Sequence, residues 1–319
     1  MKNGFMPGEK AFLMMLYRMA YPRRLVDMED FVGREYSTIS RCFNFVVKLM
    51  DVEDGHLLLD SLEFFLLKFP NYNRVILDKI AIANDNLIPD RERMVTGFLD
   101  GTKREICHPF GNDNIQRAVY DGRLHEHNLG FQGVFLTHVL SLTHILTLTH
   151  ALSLNHTMSA GLSAPDGLLM DLFGPIAGRY HDMIMVQESG INGKFRDVQI
   201  GQEAQYVMYT DKGYADRTHL LAAYHGAELT LPQMQINGVM TLLRVAVEWC
   251  FGKITECQKY IDFAQGQQMQ LQPVAKYYRL AALLMNAHSC LYGNQTSIHF
   301  GLKPPSLRVY FDCADRIPV

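Results

Sequence analysis

The sequence predicts a mixed α/β (α+β) protein in which a helical N-terminal domain precedes a domain built on a mixed sheet. Three observations lead there. Up to about residue 93, apolar residues recur at helical spacing and no alternating strand pattern occurs. At Met94 the pattern changes to short apolar runs that end in turn residues. Farther on, helical signals return among further strands, most strongly over residues 234–254. Strands first, then strands mixed with helices, divide the chain into a helical domain over 1–93 and an α/β domain over 94–319.

The elements follow in order. Residues 11–19 are apolar, with Arg18 near the end. A short helix precedes Gly33. After it, Ser37 is placed to cap a helix in which Ile39, Cys42, Phe43, Val46, Val47 and Met50 form one apolar stripe. The two helices around Gly33 are helix-turn-helix-like; a plain helical bundle without any DNA contact fits the same pattern. A helix over 56–69 is expected to end before Pro70, and another covers 75–83. Strands are expected at 95–99, 129–135, 168–173 and 206–209, and helices at 183–188 and 234–254. In the last of these, Val239, Leu242, Leu243, Ala246 and Cys250 form the core stripe, with Arg244 and Glu248 pointing away from it.

Composition narrows the function classes. Of 319 residues, 48% are hydrophobic, enough for a sizeable core, and the formal net charge is −3. A protein that grips DNA unaided shows a basic surface or stripe, and the whole-chain charge shows none. Any nucleic-acid contact must come from local patches, from bound metal ions or from a partner. The six cysteines form no Cys-x-x-Cys pair and no zinc-type spacing, so they read as buried thiols in a reducing compartment. The apolar run 12–17 is too short for a secretory segment, and no membrane association is expected. These features point to the cytosol or the nucleus.

Residues 136–159 repeat four times a hexad of the form Leu-Thr/Asn-His-x-Leu/Met-Ser/Thr, with histidines at His138, His144, His150 and His156. A period of six places these histidines on one face of an extended strand, as in a metal-binding array. A membrane span is a second reading, opposed by the many Thr, Ser, Asn and His residues. The favoured reading is low-complexity sequence, such as a translated microsatellite or a retained intron. The strand at 129–135 and the strand after Ala164-Pro165-Asp166-Gly167 would join as a hairpin without the repeat, which is therefore taken as an insertion in that hairpin.

Three acids have the placement that catalysis needs. Asp100 and Asp211 each follow an apolar strand, where a side chain projects from a rigid element beyond the sheet. Glu248 lies on the long helix, four residues after Arg244. Singly, each Asp is a common turn-former, and Arg244 with Glu248 is a common surface ion pair. Together they suit two-metal phosphoryl chemistry. Mg2+ or Mn2+ prefers oxygen ligands, and two such ions can clamp the attacking and leaving oxygens of a phosphodiester.

A set of motifs in fixed order carries a family resemblance. These are Gly97-Phe98-Leu99-Asp100-Gly101-Thr102; Gln116-Arg117 with Tyr120-Asp121-Gly122; Phe131-Gln132-Gly133-Val134; Leu172-Phe173-Gly174-Pro175 running into Gly178-Arg179-Tyr180-His181-Asp182; Thr210-Asp211-Lys212-Gly213-Tyr214; Arg244 through Glu248 to Gly252-Lys253; and Leu291-Tyr292-Gly293-Asn294-Gln295-Thr296. The N-terminal segments 18–25 and 37–41 belong to the same set. Together they resemble the Harbinger/PIF-type transposases, the group that includes harbinger transposase-derived nucleases. The resemblance implies an RNase H-like catalytic domain with an Asp–Asp–Glu triad at Asp100, Asp211 and Glu248, and 248 − 211 − 1 = 36 residues separate the last two. It implies two divalent ions held by these acids, with Asp182 an auxiliary fourth ligand, the second ligand in place of Asp211, or a helix cap; Asp211 is ranked above it because it follows a strand whereas Asp182 begins a helix. It further implies DNA contacts by Arg41, Arg117, Arg244 and Lys253, a Myb-like targeting partner, a homodimer and a nuclear location. The sequence departs from the family pattern at Thr210, where Gly is frequent, at Lys212, where a small residue is frequent, and in the His-rich insertion. The alternative to an active nuclease is a catalytically inactive, transposase-derived DNA- or protein-binding relic.

Overall fold

The computed structural model describes residues 6–59, 61–84, 88–110, 113–122, 124–132, 160–177, 180, 182–211 and 218–312. The fold is mixed α/β, as predicted. The N-terminal helices are α1 (Gly8–Ala20), α2 (Glu29–Val32), α3 (Tyr36–Glu53), α4 (Leu62–Leu66) and α5 (Phe69–Ala83). Between the four-residue α2 and α3 the chain turns at Gly33, whose φ of 68° suits glycine.

Two local expectations are corrected. Ser37 does not cap α3, because the helix already begins at Tyr36. The Glu29 carboxylate, reaching across the turn, accepts the Tyr36 N–H at 2.6 Å and does the capping work. The helix expected over 56–69 is a 3-10 turn at Gly55–Leu58 followed by the short α4. Pro70 does not follow a helix end; it sits in the first turn of α5, where its missing N–H costs nothing.

After α5 come β1 (Val95–Glu105), α6 (Asp113–Val119), β2 (Tyr120–Asp121), β3 (Glu126–Gln132), β4 (Ala160–Ser163) and β5 (Leu169–Ala177). Then follow α7 (Asp182–Ser189), α8 (Ile191–Asp197), β6 (Val207–Thr210), β7 (Leu220–Ala222), α9 (Leu231–Cys257), α10 (Val274–Tyr292), α11 (Gln295–Phe300) and α12 (Leu307–Asp312). All seven strands join one sheet, with β1 antiparallel to β3 and β4 and parallel to β6, and β6 parallel to β7.

The ladder shows where the His-rich segment enters. Gln132 at the end of β3 pairs with Gly101 on β1 and with Phe173 on β5. Ala160 at the start of β4 pairs with the same two residues. From there β4 continues the antiparallel run, Gly161 opposite Asp100 and Leu172. β3 and β4 are thus two halves of one strand, and the chain leaves and re-enters the sheet at a single register position. The repeat thus falls between the two halves of the first strand of the hairpin that turns at 164–167 into β5. The turn 164–167 stays intact after it, leading into β5. The repeat itself lies outside the described residues.

The packing is continuous from end to end. α5 lies against β1, while α10 packs against α3, α9 and β5. Asp51 on α3 accepts from Arg279 at 2.7 Å and from Lys276 at 2.6 Å on α10. Phe43 packs edge-on against Tyr260 and tilted against Tyr277, and the Arg18 guanidinium lies over both Phe43 and Tyr260. Asp166 in the hairpin turn is buried, accepting from Tyr72 at 2.6 Å and from Lys68 at 3.1 Å, which ties the turn to the region of α5. In α9 the buried stripe includes Val239, Leu243, Ala246 and Cys250, but Leu242, beside this stripe on the helix surface, is exposed. Among the described cysteines all are unpaired, and only Cys250 is fully buried; Cys42, Cys107, Cys257 and Cys290 are half-buried. Among the described residues no helix is long and apolar enough to cross a membrane.

Candidate active site

The site is built on two central strands running in the same direction. Phe98 is opposite Tyr209 and Leu99 opposite Thr210 in the parallel β1–β6 ladder. The next residues along both strands are Asp100 and Asp211. Side chains at laterally matched positions of neighbouring strands share a face, and strands lie about 4.8 Å apart. The two aspartates therefore stand side by side on the face that also carries Phe98 and Tyr209. The local cause is the sequence of each strand: an apolar run that buries itself, followed by one acid as the strand leaves the core.

Glu248 comes from α9, which packs against β1 and β4. Thr230 caps this helix and forms a reciprocal pair with Gln233, while Pro232 occupies its first turn. Arg244 joins helix to sheet. It donates from Nη1 to Oδ2 of Asp100, and its Nη2 lies 3.7 Å from Oε1 of Glu248. The other Asp100 oxygen, Oδ1, accepts the Gly101 N–H at 2.8 Å. Arg244 is 14% exposed and Asp100 21%, whereas Glu248 is 57% exposed. The pair read from sequence as an i,i+4 surface contact is thus half of a three-membered bridge whose other anchor lies 144 residues away.

Tyr209 is a member of the site that sequence reading missed. Its hydroxyl is buried and has no hydrogen-bond partner among the described residues. Burial, then the negative charge of Glu92, drives its pKa well above the ordinary phenol range; Asp211 adds to this, while Arg91 and Arg244 oppose it. The available signal was parity: Tyr209 lies two residues before Asp211 and so shares its face.

The remaining predicted residues are dispersed. Asp182 is the first residue of α7, and its side chain lies outside the described residues. Arg41 is exposed on α3 and hydrogen-bonds Thr38 within its own helix. Arg117 is exposed on α6. Lys253 lies nine residues beyond Arg244, about 14 Å along α9, and pairs with Glu256 at 3.1 Å.

Among the described residues no group of three or more His, Cys, Asp or Glu side chains is gathered closely enough to hold a metal ion. The donor chemistry nonetheless fits a hard divalent cation. Asp100, Asp211 and Glu248 offer only carboxylate oxygens, and the guanidinium of Arg244 stands as a positive charge against two of them. Asp100 and Asp211 would supply the inner face of such a site and Glu248 its outer edge.

The mixed α/β fold is consistent with the comparison to known families. Residues 153–286 match the model of a family described as DDE superfamily endonuclease. The matched span covers less than half of the chain. It includes Asp182, Asp211, Arg244 and Glu248, and it starts inside the inserted segment, so β1 with Asp100 lies ahead of it. Nothing among the curated proteins or the solved structures matches the chain.

Proposed function

We propose that this protein is a metal-dependent DNA endonuclease or transposase of the Harbinger type, acting through an RNase H-like domain. The observation that carries this reading is the placement of Asp100 and Asp211 at matching positions on neighbouring parallel strands, with Glu248 tied to Asp100 through Arg244. The family match over the second half of the site supports nuclease chemistry.

Mg2+ or Mn2+, when bound, would supply positive charge to the phosphodiester and acidify a water or 3′-hydroxyl. Asp100 and Asp211 would hold such ions from rigid strands, and Glu248 would close the site from the helix. Asp182 is kept as an auxiliary ligand. Arg41, Arg117, Arg244 and Lys253 would contact the DNA backbone, where each cation adds affinity without sequence readout. With a net charge of −3, the chain fits a protein that leaves target recognition to a basic, Myb-like partner in the nucleus and works as a homodimer. One observation favours the second reading, an inactive binding relic: the insertion breaks the strand whose Gly161 pairs with Asp100 itself.

Nicking of supercoiled plasmid with Mg2+ or Mn2+ tests the proposal. Asp100→Ala, Asp211→Ala and Glu248→Ala are each expected to abolish cutting, by 100-fold or more as a rough scale for a lost charge-stabilising group. Cutting that is metal-independent or that survives all three substitutions would refute it. Absence of cutting by the parent chain and by a form lacking 133–160, with partner supplied, would favour the relic.

A further inference from the structure

We propose that Arg244 is an internal cation that competes with metal ions for the acidic centre, and that on metal loading it is released to bind a phosphate of the DNA. The proposal rests on the nuclease reading above.

The geometry leads there in three steps. First, Arg244 already occupies a carboxylate oxygen that a metal would need: it donates to Oδ2 of Asp100, while Oδ1 is engaged by the Gly101 N–H. A divalent ion of the Mg2+ type sits about 2.0–2.1 Å from its oxygen ligands, so an ion on Oδ2 would stand against the guanidinium that donates to the same oxygen, cation against cation. Second, the charges are unbalanced in favour of exchange. Asp100 and Glu248, the two carboxylates that Arg244 bridges, carry two negative charges against its one. A divalent ion neutralises this centre better than a monovalent side chain, and its arrival adds repulsion against the guanidinium. Third, Arg244 has somewhere to go. It is anchored on α9, only 14% exposed, with Glu248 one turn further along the same helix at 3.7 Å. Once detached from Asp100 it stays beside the site, where its planar fork matches a phosphate group. Arg244 is in this account a positioning residue before metal binding and a substrate-binding residue afterwards.

The opposite account is purely structural: Arg244 holds the carboxylates in place, and its loss scatters them. The two differ in sign. Mn2+ binding to the full chain without DNA is followed by the EPR signal of free Mn2+, for the parent protein, R244Q, R244K and D100N, each checked for a native melting curve. Expected results are Mn2+ binding that D100N weakens, and about tenfold tighter binding by R244Q, the scale of one largely buried ion contact. R244K, which keeps the charge, should stay near the parent. In Ca2+, a non-reactive substitute, R244Q should bind duplex DNA more weakly. Equal or weaker Mn2+ binding by R244Q overturns the proposal. Mn2+ binding that D100N leaves unchanged would instead overturn the placement of the metal site, whatever R244Q does. Should R244Q fail to fold, R244M serves as the same test: Mn2+ binding tighter than the parent's is expected, and equal or weaker binding overturns the proposal.

Discussion

Removing residues 133–160 and joining Gln132 to Gly161 is expected to leave the sheet intact and to stabilise it. The register supports this directly. Gln132 pairs with Gly101 and Phe173, and Gly161 pairs with Asp100 and Leu172, so the new peptide bond links consecutive positions on both neighbouring strands. The segment removed spans 160 − 132 = 28 residues. Taking the flexible-chain cost (3/2)RT ln n as the upper limit, closing a connection of that length costs about 3 kcal/mol. At about 2–4 °C per kcal/mol for a large domain, the melting temperature should rise by up to about 6–12 °C. Circular dichroism melts of the two forms at equal concentration, with far-UV spectra compared per residue, measure both parts. A lower melting temperature, or loss of strand signal in the shortened form, would refute the view that β3 and β4 are halves of one strand.

Further outcomes follow from the same contacts. Gly167 has a φ of 81°, and a Cβ there would collide with the side-chain amide of Asn294, which caps α11, donates to the Gly167 carbonyl at 2.7 Å and donates to Ser289 Oγ at 2.8 Å. Gly167→Ala should cost about 2–4 kcal/mol, the sum of left-handed strain and a lost cap, seen as a lower urea midpoint; an unchanged midpoint would show that the turn re-forms without Asn294. Burial alone would raise the Asp51 pKa, but Arg279 and Lys276 outweigh it and hold the carboxyl below its ordinary 3.8. A depressed folded pKa adds stability that is complete above the unfolded value and is lost as pH falls through the folded one. Asp51→Asn should therefore be less stable than the parent by about 1–3 kcal/mol at pH 7, with the gap closing below about pH 4; a gap independent of pH would assign the loss to packing instead of charge.

How much of this was readable in advance differs by element, for physical reasons. The start of β1 announced itself as an apolar run, and residues 234–254 of α9 (Leu231–Cys257) by apolar periodicity. The second half of β1, Gly101-Thr102-Lys103-Arg104-Glu105, is polar and becomes a strand only because β3 pairs with it, a long-range cause that local propensity does not contain. α10 went unread because Tyr277, Tyr278, Leu280, Ala281, Ala282, Leu283 and Met285 are buried around its circumference, which erases the amphipathic period that marks a surface helix. β4 follows directly on the hexad repeat and β7 has three residues, too few to show alternation. In the site, Asp100, Asp211 and Glu248 were nominated individually by position. Their arrangement depends on parallel register between strands more than 100 residues apart and on the reach of Arg244, and neither is encoded in local spacing.

The single register position shared by Gln132 and Ala160 has a consequence for how this chain can change over generations. Because the excursion begins and ends at the same rung of the ladder, its length does not determine which side of the sheet the downstream residues face. Hexads can be gained or lost there in whole copies while Tyr209 and Asp211 keep their faces. Length variation at this point is thus decoupled from the arrangement of the acids, and copies of the gene that differ in repeat number would encode the same centre.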